Sequence, residues 1–219
     1  MRKRRDAPAS ELELMVRARA LANRTVAEIA RALNWPLPED PKRAKGFVGQ
    51  LIEAALGADP MAGELPDFPH LGVELKTVPI GPTGRTVEST FCCSIAMADV
   101  DREVWCSSRL RQRLARVLWM PVTGARFASL GERMVGKPVV WSPSAEEDAS
   151  LRADWEDIIG SMARLGYVTA HLGSVMQARP KAANASVRQL GVDEMGATRL
   201  LPLGFYLRAP FTARIVAQP

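Results

Sequence analysis

Asp67, Glu74 and Lys76 stand within one short stretch, DFPHLGVELKTVPI. Side chains alternate between the two faces of a strand, so Glu74 and Lys76 share one face while Val73 and Leu75 take the other. Asp67 precedes Glu74 by seven positions, and the intervening PHLG can turn it back toward the strand end. Two carboxylates and an ammonium then converge on one point. That set suits metal-assisted phosphodiester hydrolysis. The acids hold Mg²⁺, which neutralises charge on the phosphate and acidifies a water. The lysine orients or deprotonates that water, or stabilises the pentavalent phosphorane. A D-x(n)-E-x-K spacing also arises about once by chance in a chain of this size. The competing reading is an ordinary surface strand carrying a solvated Glu–Lys pair.

Neighbouring residues bear on that choice. Glu53 sits in LIEAALGA, among apolar residues and just upstream of Asp67. A carboxylate on an apolar helix face is costly unless it has a partner or reaches solvent. Lys45 comes immediately before the same helix.

The elements that must position these residues follow from capping and period. Ser10 with Glu13, and Thr25 with Glu28, form capping-box patterns that open helices at SELELMVRARALAN and TVAEIARALN. A proline-rich loop separates them from a third helix, KGFVGQLIEAALGA, which Gly57 ends. VELKTVPI and VESTFCCSIAM then read as a hairpin around GPTGR. RVLWMPV and KPVVWSP suit buried strands, and SSRLRQRLAR is basic and ambiguous. Ser144 and Glu147 open a long helix whose apolar stripe runs from Leu151 to Leu165. Strands and loops including QARPKAAN and GFYLRAPF finish the chain. The order implies an α/β fold with a mixed β-sheet flanked by helices.

Composition narrows the chemistry. The 219 residues suffice for one large domain or two small lobes. The net charge of +5 favours polyanionic partners such as nucleic acid. Three cysteines, Cys92, Cys93 and Cys106, show no C-x-x-C spacing, and the histidines are His70 and His171. A disulfide framework or a zinc site is not expected, and a metal here would be a hard cation held by carboxylates. MRKRRDAPAS lacks a following apolar core, so residues 1–9 read as a basic solvated tail, with loose phosphate contacts as the rival. No stretch reaches the length of a membrane span, and a cytoplasmic location is expected.

KRAKGFVGQLIEAALGA, DFPHLGVELKTVPI, GRTVESTF, RLARVLWMPV, WSPSAEEDASLRADWE, RPKAANA and GFYLRAPFT together resemble the MutH family of methyl-directed mismatch-repair endonucleases. The match runs in order from about residue 12 to the end. The resemblance implies a restriction-endonuclease-like core over residues 10–219, two lobes forming a DNA-binding cleft, and catalytic elements mainly in residues 40–120. It implies Mg²⁺-dependent nicking of the unmethylated strand at hemimethylated GATC, leaving a 5′ phosphate. Asp67 and Glu74 match the metal-binding acids, Lys76 the catalytic lysine and Glu53 the accessory acid. Lys45 and Gly46 match a Lys-Gly near the DNA, and Arg179, Pro180 and Lys181 match the recognition loop. Tyr206 matches the tyrosine that senses adenine methylation, and Arg113 stands where family members carry lysine. The implied partners are duplex DNA, a MutL-type ATPase and, through it, MutS, with the nuclease a monomer.

The recognition residues also make chemical sense by themselves. Arginine reads guanine bidentately, and a tyrosine beside an adenine amino group responds to a methyl there. RPK also fits a plain phosphate contact, and the aromatic of GFYL also fits a core position. Two rivals differ in class. A type II restriction endonuclease of GATC specificity would cut both unmethylated strands without a helper. A helix-turn-helix regulator would use TVAEIARALN, but the prolines of WPLPEDPKR fall where its recognition helix is required.

Overall fold

The structure is a computed structural model. It describes residues 2–40, 44, 46–86, 88–96, 100, 102–124, 128–165, 167–169, 171–181, 189–193, 196–200 and 202–218. The first half runs α1 (Glu11–Arg19), α2 (Val26–Ala32), α3 (Phe47–Leu56), β1 (Glu74–Ile80), β2 (Thr90–Ser94), α4 (Arg109–Leu114) and β3 (Val117–Thr123). The second half runs β4 (Met134–Val135), β5 (Val139–Trp141), α5 (Ala145–Leu165), β6 (Met176–Pro180), β7 (Gln189–Asp193), β8 (Gly196–Leu200), β9 (Leu203–Leu207) and α6 (Ala209–Val216). The chain divides into two compact units.

The first unit comprises Met1–Glu88, Ala115–Ser142 and Ala213–Pro219. Its sheet is mixed, as expected: β1 pairs parallel with β3, whose other edge is shared by antiparallel β4 and β5. β3 is buried from Val117 to Val122, which explains its unbroken apolar run. Among the described strands β1 pairs only with β3 and so forms an edge. α2 begins with the full Thr25–Glu28 capping box. α1 uses half of its own box: Ser10 accepts the Glu13 N–H, while Glu13 reaches the Ala9 N–H instead. α1 and α2 pack against α3, and α3 against β1. Leu14, Ile29, Leu51, Ile52, Phe68 and Leu118 form the centre of this core.

The second unit comprises Ser89–Leu114 and Pro143–Thr212. Its antiparallel sheet has the order β2–β9–β6, and β7 and β8 form a separate ribbon. α5 starts from the expected Ser144–Glu147 box and packs against β6. Its buried stripe is Leu151, Trp155, Ile158, Ile159 and Met162, together with Asp154.

Two expectations are corrected. GPTGR does turn the chain, with the Gly81 N–H donating to the Arg85 carbonyl and an isolated bridge between Ile80 and Thr86. However, β1 and β2 do not form a hairpin. They enter different sheets, because β3, apolar and buried from Val117 to Val122, offers β1 a more continuous buried partner than the more polar β2. The basic opening segment is likewise not a loose tail. Its backbone bonds to α3 and to the residue after α2, and Arg2 stacks 4.8 Å over the Trp35 ring. The helix-turn-helix reading also fails, since the helix after the proline segment, α3, is buried on most of its residues.

Candidate active site

β1 places the central pair. Glu74 is 1% exposed, and its Oε1 accepts from the Lys76 ammonium at 2.5 Å. The two side chains share a face, as alternation requires. They are not the solvated surface pair of the competing reading, because the Lys76 side chain is only 12% exposed. Desolvating an ion pair costs several kcal/mol per charge, by rough estimate, so a fold that keeps one on an edge strand has a use for it.

The turn before β1 delivers Asp67. Phe68 and Val73 bridge back to back, with the Phe68 N–H donating to the Val73 carbonyl at 2.9 Å. Gly72 takes a φ of +65° within this turn. Asp67 is thereby folded onto the strand, and its Oδ2 accepts the Leu75 N–H at 2.8 Å.

α3 supplies the third acid. Gly46 opens this helix with a φ of 79°, and Gly57 closes it with a φ of 85°. α3 faces β1 at Gly49, where a Cβ would make only ordinary contacts, 3.6 Å from Thr77 Oγ1 and 3.9 Å from Glu53 Oε1. The Glu53 carboxyl is pushed above the ordinary range by burial first and then by the charge of Asp67. Arg4 and Lys76 oppose that push, and Glu74 adds to it. Asp67, Glu74 and Lys76 therefore lie close enough for their charges to act on Glu53.

The donor set is three carboxylates, which is the chemistry of a hard divalent cation. Their mutual repulsion at Glu53 is what such a cation would relieve. The fit lies in donor type and charge. Among the described residues no group of three or more His, Cys, Asp and Glu side chains stands close enough together to hold a metal ion. In this arrangement the Lys76 ammonium and the Leu75 N–H engage oxygens of Glu74 and Asp67.

Known proteins match this chain closely. The family described as DNA mismatch repair enzyme MutH matches residues 56–154. A DNA mismatch repair protein MutH from Pectobacterium atrosepticum is 45% identical over 217 residues, covering 97% of this chain and 93% of that protein. Proteins of the same name from Histophilus somni and Vibrio cholerae are 44% and 42% identical over 212 and 215 residues. Coverage of this chain is 95% for the first and 97% for the second, with the same shares of each relative. The chain belongs to the MutH family. MutH proteins are DNA mismatch-repair endonucleases, and the mixed sheet flanked by helices is the restriction-endonuclease-like architecture expected of them.

The other MutH-like residues are distributed as follows. Lys45 lies outside the described residues. Gly46 is the N-cap of α3, and a Cβ at that position would meet nothing within 4 Å. Arg113, Arg179, Pro180, Lys181 and Tyr206 all belong to the second unit. Arg179 and Pro180 are exposed at the end of β6, with Lys181 just beyond. Tyr206 lies on β9 opposite Gln177, and the Arg179 guanidinium sits 5.7 Å from its ring centroid. Burial raises the Tyr206 phenol above its ordinary value, against the opposing charge of Arg179. The phenol is therefore neutral at physiological pH and keeps its proton to donate.

Phe91 escaped the sequence reading. Its ring packs edge-on against Tyr206 at 5.3 Å, and the Lys181 ammonium lies 3.4 Å from its centroid. Gly204 makes room for it, since a Cβ there would fall 2.7 Å from the Phe91 ring. The register slip between Phe91 and Cys93 marks a bulge that re-aims this part of β2. No local signal in TFCCS announces it.

Proposed function

We propose that the chain is a Mg²⁺-dependent endonuclease that nicks the unmethylated strand of duplex DNA at hemimethylated GATC during mismatch repair. What carries this reading is the buried Lys76–Glu74 pair on an edge strand, beside Asp67 and within the field of Glu53. Asp67 and Glu74 would hold the cation, with Glu53 as the accessory acid. Bound there, Mg²⁺ supplies charge neutralisation at the phosphate and acidifies water. Lys76, oriented by Glu74, keeps its proton at Nζ and positions the attacking water in line with the 3′ oxygen. The P–O3′ bond breaks, which leaves a 3′ hydroxyl and a 5′ phosphate.

Recognition falls to the second unit in this reading. Arg179 reads a base edge, Pro180 shapes the loop, and Lys181 and Arg113 hold phosphates. Tyr206 meets the adenine amino group, where a methyl changes both size and donor count. Lys45 and Gly46 meet the backbone at the opening of α3. The enzyme works as a cytoplasmic monomer, feeble alone and activated by a MutL-type ATPase after MutS finds a mismatch.

The test is nicking of a duplex with one GATC site in unmethylated, hemimethylated and fully methylated forms, with and without Mg²⁺. Wild type is expected to nick only the unmethylated strand and only with Mg²⁺. Asp67→Ala is expected to lose at least a thousandfold in rate while still binding the duplex, and Tyr206→Ala to lose strand preference. Wild-type rates in Asp67→Ala would reject the site. Efficient cutting of both unmethylated strands without a helper would identify a restriction enzyme instead.

A further inference from the structure

We propose that residues 3–8 form a strap that positions the candidate active site, with Arg4 and His70 as its two fastening points. The inference rests on the functional reading above and adds residues that reading does not use.

The strap first meets the end of α3, the helix that carries Glu53. The last four carbonyls of a helix lack intrahelical donors. Here the Arg5 N–H donates to the Ala54 carbonyl at 2.9 Å, one residue after Glu53. Arg17 donates to the Leu56 carbonyl and, from the same nitrogen, to the Asp6 carbonyl of the strap. The Arg4 guanidinium donates to the Ala58 carbonyl at 3.0 Å. Cationic donors at a helix C-terminus also suit its dipole. The seat is shaped for this contact: a Cβ at Gly57 would lie 2.1 Å from the Asp6 carbonyl oxygen.

The strap next fastens the loop that delivers Asp67. Arg4 holds Ala58, where the loop starts. His70 Nε2, beyond Asp67, donates to the Pro8 carbonyl at 2.6 Å. Between these two points the Asp59 N–H donates to the Asp67 carbonyl at 2.8 Å. A cavity of about 520 Å³ lined by Arg4, Asp59, Phe68 and His70 gives the loop room to shift once a fastening is lost. Arg4 also lies close enough for its charge to act on Glu53. One segment thus sets the spacing between an acid borne by a helix and an acid borne by a loop.

Two measurements on the full chain test this. The first is amide hydrogen exchange without metal or DNA. In Arg4→Ala, His70→Ala and a deletion of residues 2–7, the Asp59 and Leu75 amides, both donors to Asp67, should exchange at least tenfold faster. Amides of β3 should not change. The second is single-turnover nicking. The same variants should lose tenfold or more in rate constant while duplex Kd stays within threefold, and Arg4→Lys should recover part of the loss. Unchanged exchange at Asp59 and Leu75 would overturn the strap. So would a loss confined to Kd, or an equal loss in Lys3→Ala, whose side chain makes none of these bonds. If wild type does not nick, the functional reading fails, and exchange alone decides the strap. If the deletion variant does not fold, the single substitutions decide it.

Discussion

Asp154 and Glu74 are both carboxylates withdrawn from solvent, at 5% and 1% exposure, and they are treated in opposite ways. Asp154, on α5, accepts from the backbone N–H groups of Ser174, Val175 and Met176 and from the Ser174 hydroxyl. Its donors are neutral groups fixed by the backbone, and it pins the chain at the entry to β6. Glu74 faces the ammonium of Lys76, and both act on the nearby Glu53. A carboxylate surrounded by fixed neutral donors stabilises a fold. One that is paired with an ammonium beside further acids stands where ionisable groups are gathered, as they are at functional sites. The difference separates a staple from a site.

The comparison breaks most sharply at Lys76. Lys76→Ala removes the ammonium paired with a buried Glu74, and the expected loss is about 3–5 kcal/mol in urea unfolding, together with loss of nicking. Replacing both partners with apolar residues of similar volume, Glu74→Leu with Lys76→Met, should restore stability while activity stays absent. A double variant as unstable as Lys76→Ala would mean that the pair serves the fold after all.

Asp154→Asn should cost less, about 1.5–3 kcal/mol, because one oxygen remains to accept while the new amide faces donors. Circular dichroism in urea measures it, and a loss below about 0.5 kcal/mol would show that Asp154 is no staple.

Glu53→Gln should show the smallest effect, with the opposite sign. The folded protein holds the Glu53 proton more tightly than the unfolded chain does. Between the unfolded and folded pKa values the folded state binds more protons, so stability falls as pH rises through that window. The penalty is complete above the raised folded pKa and absent below the ordinary value of 4.5. Glu53→Gln should therefore unfold at slightly higher urea than wild type at neutral pH, with the gain vanishing under acidic conditions. A loss of stability at neutral pH would contradict crowding among the acids.

Much of the site was legible because its information is local. The alternation of VELK, the turning power of PHLG and the apolar setting of Glu53 each need only a few neighbouring residues, and each reappears in the fold. The Thr25 and Ser144 boxes were readable for the same reason. What escaped depends on distant partners. The register of β1 against β3 joins segments about forty residues apart, so GPTGR between two strand-like runs naturally suggested a hairpin. Residues 1–9 read as solvated charge because the anchors of Lys3, Arg4 and Arg5 are carbonyls, which no side-chain pattern reveals. Phe91 became meaningful only once β9 brought Tyr206 and Gly204 beside it.

The edge position of β1 carries one more implication. Successive backbone donors along a strand point to opposite sides. The Glu74 N–H donates to the Arg116 carbonyl at the start of β3, so Leu75, Thr77 and Pro79 face outward. Leu75 spends its hydrogen on Asp67, and proline has none to give. Of these three residues Thr77 alone keeps a backbone N–H to offer, so a stray segment from a neighbouring molecule would find few donors along this border. The Asp67 carboxylate thus also covers one of the outward donors of β1 and so limits unwanted sheet extension along that border.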